Sequence, residues 1–311
     1  MRDAVFAAAA MFAFGALAAQ KVQMPETCTN PDGLAVDPAG RLVIAAPNNA
    51  RTQPGAVFVL DEPGGTPRKW FDVPPHPETG VAAPMGICFG PEGELYICDN
   101  QKDSKGRLLR MSFKDGRPEK CETVACGLEN ANGVKYLNGW LYMTQAFLRG
   151  IKREDGHLSS GVYMFNASDR DVRVTNTAVD PQLVFLDHTA NPKMRVGLNG
   201  VAVDAQGFIY TGNYGDGRIW KLKPGADGRI ASSELFAWSG IVSPDGLCVD
   251  PSGNLYTADM HGDSAVKIDR SGNVSIVAKG CFKRPSEPCW WKGSLYVSDY
   301  AGTTVTQISL H

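Results

Sequence analysis

The run Pro244-Asp245-Gly246-Leu247-Cys248-Val249-Asp250-Pro251-Ser252-Gly253-Asn254-Leu255-Tyr256-Thr257 reads as a β-hairpin, with apolar and β-branched residues on either side of an Asp-Pro-Ser-Gly turn. The phrase recurs along the chain. It stands at Pro31-Asp32-Gly33-Leu34-Ala35-Val36 before Leu42-Val43-Ile44, and at Pro84-Met85-Gly86-Ile87-Cys88-Phe89 before Leu95-Tyr96-Ile97. It returns at Ala131-Asn132-Gly133-Val134-Lys135-Tyr136 before Leu141-Tyr142-Met143, and at Leu198-Asn199-Gly200-Val201-Ala202-Val203 before Ile209-Tyr210-Thr211. A worn copy is Ser286-Glu287-Pro288-Cys289-Trp290-Trp291 before Leu295-Tyr296-Val297. Two more strand candidates follow most copies, as Gly55 to Leu60 and Arg68 to Val73 follow the first. Six units of four strands, 42 to 67 residues apart, predict an all-β chain folded as a six-bladed β-propeller.

The last unit runs out after its third strand, Thr303 to Leu310. Gln20 to Met24 is then expected to supply the missing outer strand and close the ring. Upstream, Arg2 precedes an apolar run from Ala4 to Ala19, and Ala16-Leu17-Ala18 has the small-x-small form a signal peptidase accepts. Residues 1–19 therefore read as a signal peptide and 20–311 as the propeller, with a secreted or periplasmic location. The apolar run is short for a membrane span, so no membrane attachment is expected once it is removed.

Composition agrees with this reading. The 311 residues are 43% hydrophobic and 21% charged, and 34 Gly with 20 Pro supply many tight turns. A net charge of -2 with no block of like charge gives no footprint for nucleic acid. A monomer acting on a small-molecule substrate is expected. Eight cysteines match no small disulfide scaffold. Cys88, Cys248 and Cys289 lie in apolar runs and read as core residues, and Cys121 and Cys126 would face opposite sides of a shared strand.

The chemistry is concentrated at one position of the repeat. The residue before the repeated Gly reads Asp32, Met85, Asn132, Asn199, Asp245 and, with Pro288 in place of Gly, Glu287. The first strand of each blade lines the central channel, so these positions form a ring. Any single Asn-Gly or Asp-Gly is an ordinary turn dipeptide; four in register, each about ten residues before a second strand and three of those strands opening on Leu-Tyr or Ile-Tyr, are not. Converging carboxylates are costly without a cation or protons. Asp32, Asn132, Asn199 and Asp245 offer four hard oxygen donors and two negative charges, which suits Ca²⁺. Mg²⁺ or Mn²⁺ would substitute, and Zn²⁺ less well, because no His or Cys is in the ring. Glu287 reads as a fifth ligand or as a group behind the ligands.

The Pro-Asp-Gly-Leu-Cys-Val-Asp of blade five and the Asn-Gly-Val-Ala-Val-Asp of blade four resemble the matching segments of the regucalcin/gluconolactonase family. That resemblance implies a divalent metal in the channel, held by an acidic residue in blade one, Asn residues in blades three and four, and an Asp in blade five: Asp32, Asn132, Asn199 and Asp245. It implies a lactone or related ester hydrolase, with Asp245 as general base or nucleophile and Glu287 as second choice. Two departures stand out. Asp32-Gly33-Leu34 replaces the family's Glu-Gly-Pro, and the family's Arg-x-Asn-Asp-like segment is missing around Asn130-Ala131-Asn132. A non-catalytic propeller of the NHL-repeat kind and a metal-free strictosidine-synthase-like propeller are the alternatives.

A second polar series closes the second strands: Asn48, Asn100, Gln145, Asn213, Asp259 and Asp299. Near a rim of loops, Asn100, Gln145, Asn213 and His261 are the candidate substrate-binding residues. Tyr214 and Tyr300 adjoin them. The 67-residue spacing between Asn132 and Asn199 leaves an insertion, carrying His188, that is either a lid or a surface loop. No nucleophile elbow, Walker loop or dinucleotide fingerprint appears in a strand–helix context.

Overall fold

The computed structural model describes residues 19–49, 52–191, 193–238 and 240–310. The predicted signal peptide lies outside these residues, apart from Ala19. The described chain is all β, in six antiparallel sheets arranged as a six-bladed propeller. The inner strands are Leu34–Val36, Pro84–Phe89, Ala131–Leu137, Leu198–Val203, Pro244–Val249 and Pro285–Trp291, in blades one to six. Each pairs with the second strand through the predicted hairpin, as Leu247 with Thr257 and Leu34 with Ile44. Turn glycines such as Gly40 and Gly253 have φ of 78° and 82°, which the hairpin needs and a side chain would oppose.

Ring closure takes the expected form. Ala19–Gln23 pairs antiparallel with Thr304–Ile308 as the outer strand of blade six, Val22 opposite Val305. Blade six is thus sewn from both ends of the chain.

Six apolar clusters hold the ring, and each joins two neighbouring blades. Phe58 and Leu60 of blade one pack with Trp291 and Tyr296 of blade six. Leu141 and Phe165 of blade three pack with Tyr96 and Leu108 of blade two. The periodicity of the sequence is therefore a periodicity of interfaces, because no single four-stranded blade can bury both of its faces alone.

The long insertion is neither of the two expected forms. Leu183–Thr189 is the outer strand of blade three, pairing with Leu158–Asn166. Before it, Val172–Arg173 crosses to blade two and adds a parallel fifth strand beside Arg117–Leu128. The segment straps two blades together at their outer edge, away from the channel. Cys121 and Cys126 share the Arg117–Leu128 strand and are unpaired, as expected.

Candidate functional site

In blades two to six the inner strand carries a bulge that interrupts its ladder, for example between Pro244 and Leu247. Pro84, Ala131, Leu198, Pro244 and Pro285 each pair with the last residue of the second strand, so they are equivalent. The residues after them therefore form the ring: Asp32, Met85, Asn132, Asn199, Asp245 and Ser286. This corrects the sequence register in blade six. Glu287 stands one residue later, at the position held by Gly33, Gly86, Gly133, Gly200 and Gly246 elsewhere. Pro288 invited the error, because it replaces no glycine; it aligns with Leu247.

The repeated glycine has a steric cause. A Cβ on Gly200 would overlap the carbonyl of Asp245 and approach the Cα of Gly246 at 2.7 Å. One on Gly246 would overlap the Glu287 carboxylate, so the missing side chain of blade five makes room for the large one of blade six. The glycines let neighbouring inner strands close on the axis and bring the ring residues together.

Ser286 was missed from the sequence, and it organises the site. Its hydroxyl hydrogen-bonds the carboxylates of Asp32 and Asp245, the latter at 3.0 Å. One oxygen thus links blades one and five through blade six. Asp32 and Asp245 are buried, at 6% and 7% exposure. Burial is the main cause that raises the Asp32 carboxyl to about 6, against a smaller lowering by Ser286. Burial followed by the Asp32 charge pushes Asp245 well above the usual carboxylate range. The half-buried channel ammonium of Lys135 is engaged elsewhere: its Nζ lies 3.4 Å from Glu287 Oε1.

Asn199 is buried and Asn132 half-buried. Among the described residues neither side-chain amide has a hydrogen-bond partner within the protein. Thr144 and Ser298 satisfy backbone groups of the inner strands, which leaves the ring side chains free: Gly133 N–H donates to Thr144 Oγ1 at 2.9 Å, and Ser298 Oγ donates to Asp32 O at 2.6 Å. Two desolvated carboxylates without a cation and two unengaged amides fit a hard divalent ion. Among the described residues no three His, Cys, Asp or Glu converge to hold a metal by themselves, so such a site depends on the amides.

A cleft of about 690 Å³ opens beside the ring between blades one and two, lined by Met85, Tyr300, Asn48, Asn100, Gln101 and Lys102 among others. The Tyr300 phenol is raised by burial first, then by the charges of Asp32 and Asp245.

The second polar series serves the scaffold. Its true blade-two member is Asp99, opposite Pro84, with Asn100 one residue further. Asp99, Asp259 and Asp299 accept the N–H of Ala83, Ser243 and Arg284, each just before an inner-strand Pro. Gln145 does the same for Asn130 and Glu129. Gln145 and Asn213 are fully buried and spent on such bonds, Asn213 donating to Asp187 at 2.7 Å. Of the four candidate substrate residues, Asn100 lines the cleft and His261 is exposed beside Tyr214.

The channel's far mouth is different. Three residues past the ring, equivalent positions carry Ala35, Cys88, Lys135, Ala202, Cys248 and Cys289, each facing the second strand opposite Val43 or a Tyr. Burial pushes the thiols of Cys88 and Cys289 up to about 12.

No protein-family model matches the sequence, and no curated protein matches it. Solved structures do. A gluconolactonase from Xanthomonas campestris is 17% identical, with 94% of this chain and 90% of that one covered and a TM-score of 0.64. A luciferin-regenerating enzyme is 13% identical over 94% and 95% of the two chains, TM-score 0.64. Virginiamycin B lyase from Staphylococcus aureus is 12% identical over 95% and 100%, TM-score 0.60. At these identities the likeness is one of fold.

Proposed function

We propose that this chain is an exported, monomeric hydrolase of a lactone or related ester that depends on a divalent metal, Ca²⁺ by preference. Asp32, Asn132, Asn199 and Asp245 would hold the ion. One observation carries the reading: Asp32 and Asp245 are buried against the same Ser286 hydroxyl, and among the described residues no Lys, Arg or His side chain forms an ion pair with either. The fold shared with a gluconolactonase and a luciferin-regenerating enzyme, and the resemblance of blades four and five to the regucalcin/gluconolactonase family, favour the lactone class.

When bound, the ion supplies Lewis-acid polarisation of the substrate carbonyl. The chain's own residues do the rest. The cleft beside Met85 and Tyr300 takes the body of the substrate, with Asn100 and Lys102 as polar contacts. Asp245, whose carboxyl is pushed well above the usual range by burial and then by the Asp32 charge, would accept the proton of the attacking water. Glu287 is tied to Lys135 and leaves that role to Asp245.

The test is a screen of aldonolactones, acyl-homoserine lactones, aryl esters and phosphotriesters with EDTA, then with Ca²⁺, Mg²⁺, Mn²⁺ or Zn²⁺ restored. Lactone hydrolysis is expected, lost in EDTA and recovered best with Ca²⁺. Asp245→Ala and Asn199→Ala should abolish it while leaving the fold intact. Activity that survives in EDTA-stripped Asp245→Ala rules the reading out.

A further inference from the structure

Tyr214 directly follows the second strand of blade four, Ile209–Asn213, and His261 lies two residues past that of blade five, Leu255–Asp259. Their side chains meet across the blade boundary. The Tyr214 hydroxyl is 2.9 Å from His261 Nε2 and 3.3 Å from Met260 Sδ, and the two rings stand edge to face at 5.5 Å. Exposure divides the pair: Tyr214 is 8% exposed, whereas His261 is open to solvent. Both are fixed by their backbones. Tyr214 N–H donates to Gly197 O at 2.8 Å, and His261 N–H donates to Ser243 Oγ at 2.7 Å. Ser243 is itself gripped by Asp259 and lies two residues before Asp245, so His261 is anchored to the segment that carries the ring carboxylate. The Tyr214 phenol is raised to about 12, by burial first and then by the Asp245 charge. It stays a neutral O–H donor, and by strand register it is the blade-four counterpart of Tyr300, which lines the cleft: each directly follows the residue paired with the one before a ring position, Asn213 with Leu198 and Asp299 with Pro285.

We propose that Tyr214 and His261 form a proton relay that delivers a proton from solvent to the leaving oxygen of the substrate. The relay rests on the hydrolase reading given above and adds to it the acid that the ring lacks. When water attacks the carbonyl carbon, its proton passes to Asp245. As the ring C–O bond breaks, the departing oxygen takes the Tyr214 hydroxyl proton. The Tyr214 oxygen takes the Nε2 proton of a protonated His261, His261 is reprotonated by bulk water, and Asp245 returns its proton to bulk water. The product is the hydroxy acid, and no further reagent is consumed. An acid is needed only where the leaving oxygen is strongly basic, so the relay commits the site to lactones and esters of alkyl alcohols.

The experiment is a leaving-group series, from alkyl lactones to aryl esters, run on the Ca²⁺-loaded wild type, Tyr214→Phe, His261→Gln and the double variant. Wild-type kcat should vary little along the series. Tyr214→Phe should make it steep, with a loss of about 100-fold or more at the alkyl end and far less at the aryl end. His261→Gln should show the same pattern, and the double variant should be no worse than Tyr214→Phe alone, as expected of groups acting as a unit. Unchanged Tm and Ca²⁺ affinity exclude a folding cause. Equal losses along the whole series, or no loss on alkyl lactones, overturn the relay and leave the hydrolase reading standing. If the wild type hydrolyses no member of the series, both fall.

Discussion

Lys135 of blade three reaches across the channel to Glu287 of blade six, the blade diametrically opposite, with Nζ 3.4 Å from Oε1. The pair lies between the Asp32–Ser286–Asp245 cluster and the thiol-lined far mouth. It occupies the axis, and it withholds the channel's ammonium from the ring carboxylates. Even so, burial keeps the Glu287 carboxyl at about 7, with Lys135 opposing the rise and the Asp32 charge adding to it. Three carboxyl groups, Asp32, Asp245 and Glu287, thus share the channel with the Lys135 ammonium, and all three are raised, burial being the first cause.

A pH dependence follows. Asp32 and Glu287 bind protons more tightly folded than unfolded, so each contributes most at acid pH and loses that contribution as pH climbs through about 6 and about 7. On the order of 2 kcal/mol should be lost per group between about pH 5 and about pH 8 in EDTA, the rest of each contribution being lost below about pH 5. Urea unfolding measures it. Ca²⁺ should restore stability at the higher pH and do little at the lower one, and Lys135→Met should extend the loss above neutrality. A flat profile in EDTA contradicts the argument.

Ser286→Ala removes a hydroxyl that lies between two carboxylates. The metal-free protein should lose about 2 kcal/mol, the scale of a buried hydrogen bond to a charged group. Ca²⁺ should narrow the gap to wild type, because an ion held by both carboxylates would take over the bridging role of the hydroxyl. An equal gap with and without Ca²⁺, read by urea denaturation, counts against a shared ion site.

The two glycine classes should separate cleanly. Gly207→Ala strains a turn at φ 82° with nothing within 4 Å and should cost about 1 kcal/mol. Gly200→Ala drives a Cβ into the backbone of blade five, where no flexible side chain can yield. It should cost more than about 3 kcal/mol or abolish folding. Comparable melting temperatures for the two variants would show that the inner strands are not in close contact.

Deleting residues 20 to 26 removes the outer strand of blade six and the buried Val22 and Met24. Those two side chains alone bury apolar surface on the order of 4 kcal/mol, enough to lower Tm by roughly 10 °C in a chain of this size. Calorimetry of the truncated and full-length mature chains checks it; equal Tm values would mean the ring closes without the strand.

The sequence by itself determined the fold, because the hairpin phrase repeats at every interface and each copy announces its turn and its apolar faces, five of the six with the axial glycine as well. It determined the closing strand too, since a sixth unit that stops at its third strand needs a fourth from elsewhere. Asp32, Asn132, Asn199 and Asp245 were legible for the same reason, as they precede the glycine in four of the five intact copies. Only the tertiary structure decided blade six. There the glycine is replaced by Glu287, and the bulge, invisible in one strand's residues, sets which neighbour points at the axis. The packing also spent Gln145 and Asn213 on loop backbones and turned the insertion of blade three into a strap, because buried backbone N–H groups must be satisfied wherever the chain turns. The pairing of Tyr214 with His261 was likewise beyond reach. Two residues 47 positions apart meet only when neighbouring blades fix their second strands side by side.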